Sequence, residues 1–171
     1  MQFTRRQLLV SSALALLAQA APASALARAL AVPFSFDWLV REAKGLAEKG
    51  YQKVAPVDSE WLSSLGYDAY RDIRFKADKA FWSNRRGVPF RLQFFHLGAL
   101  YLQPVELHEV VGGQSTPIAY DPGQFTFGKL EVPQDVATNK ALGYAGFRAH
   151  APLNRPDYFD EFLVFLGASY L

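Results

Sequence analysis

Between Asp72 and Leu166 the chain is cut into short apolar or alternating runs by the turn clusters Gly87-Val88-Pro89, Gly112-Gly113, Asp121-Pro122-Gly123 and Asn154-Arg155-Pro156. Runs of that length suit strands that return on themselves better than helices that must bury a face. The expected fold class is therefore all-β, an antiparallel β-sandwich. Strands are predicted over Arg91–Phe95, Leu100–Val105, Tyr144–His150 and Glu161–Leu166. The sharpest local prediction is a hairpin in which Val105–Val111 and Gln114–Tyr120 flank Gly112-Gly113, because paired glycines accept the positive φ of a primed turn. Phe162-Leu163-Val164-Phe165-Leu166 is a continuous apolar run closed by Gly167, the pattern of a buried strand entering a turn. Such a strand needs a partner and a covering layer, so the chain is expected to be the N-terminal part of a larger, incomplete β domain.

A short N-terminal helix precedes the strands. Ser35 is placed to cap a helix from Phe36 to about Lys49, with Asp37 near its positive end and Gly50 as its stop. Leu39, Val40, Ala43, Leu46 and Ala47 fall on one side, which predicts a docking face. Asp58 is expected to cap a shorter turn carrying Trp61, Leu62 and Leu65 ahead of Gly66.

The N-terminus reads as an export signal over residues 1–25. Arg5 and Arg6 stand directly before the uncharged stretch Leu8 to Ala21, and small residues at Ala23-Ser24-Ala25 and Ala25-Leu26-Ala27 suit cleavage near Ala25 or Ala27. The adjacent arginines followed by Leu8-Leu9 resemble the twin-arginine signal, making the twin-arginine export machinery an expected partner and the periplasm the expected location. The general secretory route and an uncleaved anchor are the alternatives, but the stretch is short for a membrane span and no stable anchor is expected after cleavage. Of the 18 basic and 16 acidic residues, cleavage at Ala25 removes Arg5 and Arg6 and no acid, which leaves 16 of each. A neutral mature chain without a dense basic run argues against nucleic acid as a partner. The absence of cysteine excludes disulfides, thiolate metal sites and a cysteine nucleophile. His96, His108 and His150 lack paired metal spacing, and neither a metal nor a cofactor is predicted.

Aromatic residues make up 15% of the chain, enough to raise the possibility of stacking on pyranose rings. Phe81, Trp82, Phe90, Phe94, Phe95, Phe162 and Phe165 sit in strand-like segments and are assigned to the core. Tyr67, Tyr70 and Tyr158 lie beside turns and polar residues, where a ring either braces the turn or meets a ligand. Arg71 to Lys76 alternates as a half-buried strand, with Asp72, Arg74 and Lys76 on a solvated face or on a ligand-contacting edge. Arg148 and His150 project together from a second strand. They are suited to donate to sugar hydroxyls, or Arg148 pairs with Asp157 or Asp160. His96 reads as a satisfied interior histidine rather than a base. The carbohydrate-binding candidates are thus Tyr70, Arg148, His150 and Tyr158. Glycoside hydrolysis usually needs two carboxyl groups across a cleft, and no pair of acids here is marked by its context, so no catalytic residue is nominated.

Five blocks carry a family resemblance: Tyr67 to Phe75, Phe90 to His96, Gly143 to Arg148, Pro152 to Tyr158 and Phe165 to Tyr170. In this order they resemble the periplasmic glucan biosynthesis proteins of types G and D, with the paired arginines pointing to type D. The resemblance implies a large galactose-mutarotase-like β-sandwich followed by an immunoglobulin-like domain, of which residues 26–171 would hold only the first part of the sandwich. It further implies action on osmoregulated periplasmic glucans with a β-1,2-linked backbone, making a β-glucan polysaccharide the expected ligand. Some members of the family are inverting endo-β-1,2-glucanases whose catalytic acids lie beyond the matched segment, so the chain alone is expected to be inactive. A noncatalytic carbohydrate-binding or scaffold protein, and a structural sandwich for a protein partner, are the competing expectations.

Overall fold

The computed structural model describes residues 31–167. The export signal with Arg5 and Arg6, its cleavage positions, and Ala168-Ser169-Tyr170 of the last family block lie outside the described residues. In chain order the elements are β1 (Val32–Pro33), α1 (Phe36–Glu48), α2 (Glu60–Ser64), α3 (Tyr67–Asp72), β2 (Arg74–Phe75), β3 (Arg91–His96), β4 (His108–Val111), β5 (Gln114–Pro117), β6 (Phe125–Thr126), α4 (Gln134–Ala137), β7 (Tyr144–Arg155) and β8 (Tyr158–Leu166). The strands form three antiparallel sheets, ordered β1-β5-β4, β2-β6 and β3-β7-β8. The architecture is all-β in its core, as expected, with the longer helical segments gathered before β2.

The Gly112-Gly113 hairpin forms as predicted. Both glycines have positive φ (57° and 74°), and Val111 pairs with Gln114 across the turn. The ladder is shorter than the apolar runs suggested, ending at His108 and Pro117. Arg91–His96, Tyr144–Arg155 and Tyr158–Leu166 match the predicted strands, the last two extended to their shared hairpin.

Four local expectations need correction. Arg71 to Lys76 is not one strand: α3 ends at Asp72, and only Arg74 and Phe75 pair, with Thr126 and Phe125. Alternation was a misleading guide because Ile73 and Phe75 meet the core from a helix exit and from a two-residue strand. Leu100–Val105 is a loop with isolated bridges, Gly98 to Tyr101 and Val105 to Tyr144, and Leu100 is exposed. Its apolar residues pack singly onto the core instead of pairing along a ladder. The cap of α2 is Ser59, not Asp58; its Oγ accepts from the Leu62 N–H at 3.4 Å. On α1, Ser35 caps as predicted, accepting from Trp38 N–H at 3.1 Å, but the predicted docking face is uncovered. Leu39, Val40 and Leu46 are exposed because no described element packs over them.

The core lies between the β3-β7-β8 sheet and the short β2-β6 pair. Phe94 stacks on Tyr144 with centroids 4.3 Å apart, and Phe75 meets Phe94 and Phe125 edge-on. The buried Tyr144 hydroxyl lies 2.6 Å from Gln124 Oε1 and 3.0 Å from the Ala119 carbonyl, and it accepts from Asp121 N–H at 3.3 Å. One side chain thus ties β7 to the segment leading into β6. Phe81, Phe95 and Trp82 are partly buried as assigned, whereas Phe90 and Phe162 stand outside the core, packing on each other at 5.9 Å. The apolar run Phe162 to Leu166 hid the fact that β8 is an edge strand among the described residues.

Candidate functional site

A cavity of about 440 Å³ opens beside β3, walled by Tyr70 and Arg71 from α3, Arg74 from β2, Phe95 and His96 from β3, and Arg148 from β7. The register explains the assembly. Arg148 lies opposite Gln93 on β3 and Val164 on β8, so its side chain leaves the centre of the sheet on the same face as His150. A register shift between Ala149 and His150 brings Glu161 opposite His150. Glu161 Oε2 is then 3.5 Å from Arg148 Nη1 and 4.0 Å from His150 Nε2.

Tyr70 is held rather than free. Its hydroxyl donates to the His96 carbonyl at 2.9 Å, and its ring leans on Tyr101 at 5.7 Å. Burial, with Tyr101 beside it, pushes the phenol well above its ordinary value, so Tyr70 offers the cavity a ring and a protonated oxygen. His96 is 2% exposed, with Nδ1 2.6 Å from the Leu97 carbonyl and Nε2 buried without a partner among the described residues. Phe125, Phe127 and Tyr120 stand nearly perpendicular around its ring. Burial lowers its pKa against the opposing Leu97 carbonyl, which gives a neutral interior histidine that is only half satisfied. The His150 pKa is lowered by burial and then by Arg148, with Glu161 acting in the other direction.

The sequence-predicted residues therefore divide. Tyr70 and Arg148 line the same cavity. His150 stands beside it through Glu161. Tyr158 sits at the far hairpin, opposite Arg155 and 61% exposed, and does not line the cavity. The suggested Arg148 partners are both engaged elsewhere. Asp157 takes Arg155 in a two-point contact at 3.0 and 2.5 Å, which also lowers the Asp157 pKa, and Asp160 Oδ2 accepts from Asn154 N–H at 3.2 Å. Arg148 pairs with Glu161 instead, because the two project from neighbouring strands on one face.

Sequence reasoning missed Arg71 as a wall residue and grouped Arg74 with Asp72 and Lys76. A helical reading of Tyr67 to Asp72 would have separated them. It also assigned Trp82 only to the core. Trp82 has φ 67°, uncommon for a non-glycine residue, and donates its indole N–H to Glu109 at 2.6 Å, while Arg85 pairs with the same carboxylate. This cluster fastens the loop after Ala80 to β4.

Chemically, the β3 cavity presents aromatic rings and guanidinium donors, and none of its lining residues is a carboxylate. That suits recognition of oxygen-rich ligands; the paired acids of glycoside hydrolysis are not found in this cavity.

A family profile described as periplasmic glucan biosynthesis protein, MdoG, matches residues 34–171. The glucans biosynthesis protein G of Rhodopseudomonas palustris (strain BisA53) is 44% identical over 169 residues, covering 97% of this chain and 32% of that relative. Its Vibrio cholerae (strain O395) counterpart is 45% identical over 137 residues, covering 80% of this chain and 25% of the relative. The glucans biosynthesis protein D 1 of Ralstonia nicotianae is 43% identical over 144 residues, 84% of this chain and 26% of the relative. The chain thus spans a third or less of the length of these relatives, and types G and D match it with nearly equal identity.

Proposed function

The chain belongs to the MdoG family of periplasmic glucan biosynthesis proteins, and from that premise we propose that it supplies a carbohydrate-binding part of a protein that controls the β-1,2-glucan backbone in the periplasm. The observation that carries this reading is the cavity that brings Tyr70 and Arg148 together with Arg71, Arg74 and Phe95. Guanidinium groups donate to sugar hydroxyls in a fixed fork, and aromatic rings give an apolar face to a pyranose. Arg5 and Arg6 direct export through the twin-arginine route in this reading, with cleavage near Ala25 or Ala27. Hydrolysis of the backbone is a property proposed for the whole protein. A lining without carboxylates favours binding over acid–base chemistry at this cavity.

Calorimetric titration with linear β-1,2-glucan tests the reading. Binding should weaken roughly tenfold or more in Arg148→Gln, in line with the loss of about 1.5–3 kcal/mol for hydrogen bonds to a charged group. The same glucan, incubated with the 171-residue chain and sized by chromatography, should keep its length. Glucan binding that is indifferent to Arg148 would refute the assignment of the site, and shortened glucan would refute its noncatalytic character.

A further inference from the structure

The charges around the β3 cavity do not balance. Arg71, Arg74 and Arg148 all line it, and no Asp or Glu does. Among the described residues, neither Arg71 nor Arg74 has a carboxylate within ion-pair distance, and Arg148 has only Glu161, at 3.5 Å and on a side chain that is 41% exposed. Arg148 Nε is buried, and no acceptor of the described residues reaches it. A buried donor without an acceptor is costly, and guanidinium groups gathered in one concavity repel each other and focus positive potential there. The neighbouring side chains do not relieve this. The Tyr70 hydroxyl is committed to the His96 carbonyl, and the Arg148 guanidinium also lies 5.5 Å from the Phe95 ring centroid, a face that accommodates a cation without neutralising it.

Hydroxyl groups of a neutral sugar would accept from these donors but leave the charge uncompensated. An oxyanion does both, because the guanidinium fork matches phosphate, sulfate and carboxylate oxygens in pairs. We infer that the cavity lined by Arg71, Arg74 and Arg148 is a binding site for an anionic group, a phosphate or carboxylate carried on a saccharide ligand. The site for the anion stands on the charge arrangement alone; only the saccharide that carries the group rests on the function proposed above.

The test uses the full chain at constant ionic strength, with chloride replaced stepwise by sulfate, whose charge is fixed between pH 5 and 8. Calorimetry should show saturable sulfate binding that falls roughly tenfold or more in Arg148→Gln and in Arg74→Gln, from the same charged hydrogen-bond magnitude. Arg86→Gln, which alters an exposed arginine outside the cavity, should leave it unchanged. Arg74 is also exposed, so its substitution tests the site without depending on a buried group. Sulfate binding no tighter than chloride, or equally tight in both cavity variants, would overturn the inference. Glucose 6-phosphate separates the sources: tighter binding than inorganic phosphate supports a saccharide-borne anion, and equal binding overturns that half. A neutral β-1,2-linked glucose disaccharide that binds and loses affinity in Arg148→Gln, while sulfate binds no tighter than chloride, would sink the anion site and leave the proposed function standing. Sulfate binding with no affinity for any glucose saccharide would do the reverse.

Discussion

Gly146→Ala should be among the most damaging small substitutions in this protein. Gly146 lies in β7 between Phe95 of β3 and Leu166 of β8, with φ 155°. A Cβ placed there would lie 2.0 Å from the Phe165 carbonyl oxygen, 2.9 Å from its carbon and 3.0 Å from Leu166 Cα. Ordinary contact begins at 3.4 Å, so β8 would have to withdraw by about 1.4 Å at that point. The obstacle is backbone, which cannot rotate aside. Withdrawal on that scale breaks the Gly167 N–H bond to the Ala145 carbonyl, now 2.8 Å, at the end of the β7–β8 ladder. Overpacking at about 1–3 kcal/mol, a lost hydrogen bond at about 1 kcal/mol and about 1–2 kcal/mol for the strained φ together give roughly 3–6 kcal/mol. For a domain of this size that lowers Tm by on the order of 10–15 °C. Gly112→Ala is the comparison, since it also has positive φ but open space around its Cβ, and should cost only about 1–2 kcal/mol of conformational strain. Thermal and urea unfolding followed by circular dichroism would measure both. A Gly146→Ala protein that melts within about 2 °C of Gly112→Ala would refute the steric argument.

Two further expectations concern pH and export. His96 has a folded pKa held below the ordinary histidine value of about 6.5, so below that pH the unfolded chain takes up a proton that the folded chain refuses. Stability should be fully present above about pH 6.5 and fall as the pH drops toward the lowered folded value, by at most about 1.4 kcal/mol per pH unit for this group. Urea midpoints measured between pH 7.5 and 5 should show a shallower decline in His96→Phe; some slope remains, because the His150 pKa is also lowered. An unchanged slope would contradict the assignment of His96. For export, replacing Arg5 and Arg6 with lysine should shift the protein from the periplasmic to the cytoplasmic fraction, and N-terminal sequencing of the exported protein should begin after Ala25 or Ala27. Undiminished export of the double variant would exclude the twin-arginine route.

Much of the local fold was legible because its cause is local. Ser35 caps α1, and Gly112-Gly113 turns the β4–β5 hairpin, since a cap oxygen and a positive φ act within a few residues. The failures share a different cause. Alternation between Arg71 and Lys76 mimicked a strand, yet ladder formation needs a partner, and the short β6 offers one only to Arg74 and Phe75. The apolar stripe on α1 follows from its sequence spacing, but a stripe does not reveal whether anything packs on it, and Leu39, Val40 and Leu46 are exposed.

For the site, sequence alone singled out Arg148 and His150 as neighbours on one strand face, because side-chain direction alternates along any strand. It also carried the blocks by which the family is recognised. Only the tertiary structure decided that Glu161, not Asp157 or Asp160, faces Arg148, and that Tyr70, Arg71 and Arg74 close a cavity with it while Tyr158 stands apart. The physical reason is that strand register and the packing of α3 against β3 depend on contacts between residues far apart in the chain. A periodic pattern records which way each side chain points, and only the assembled sheet determines what it meets.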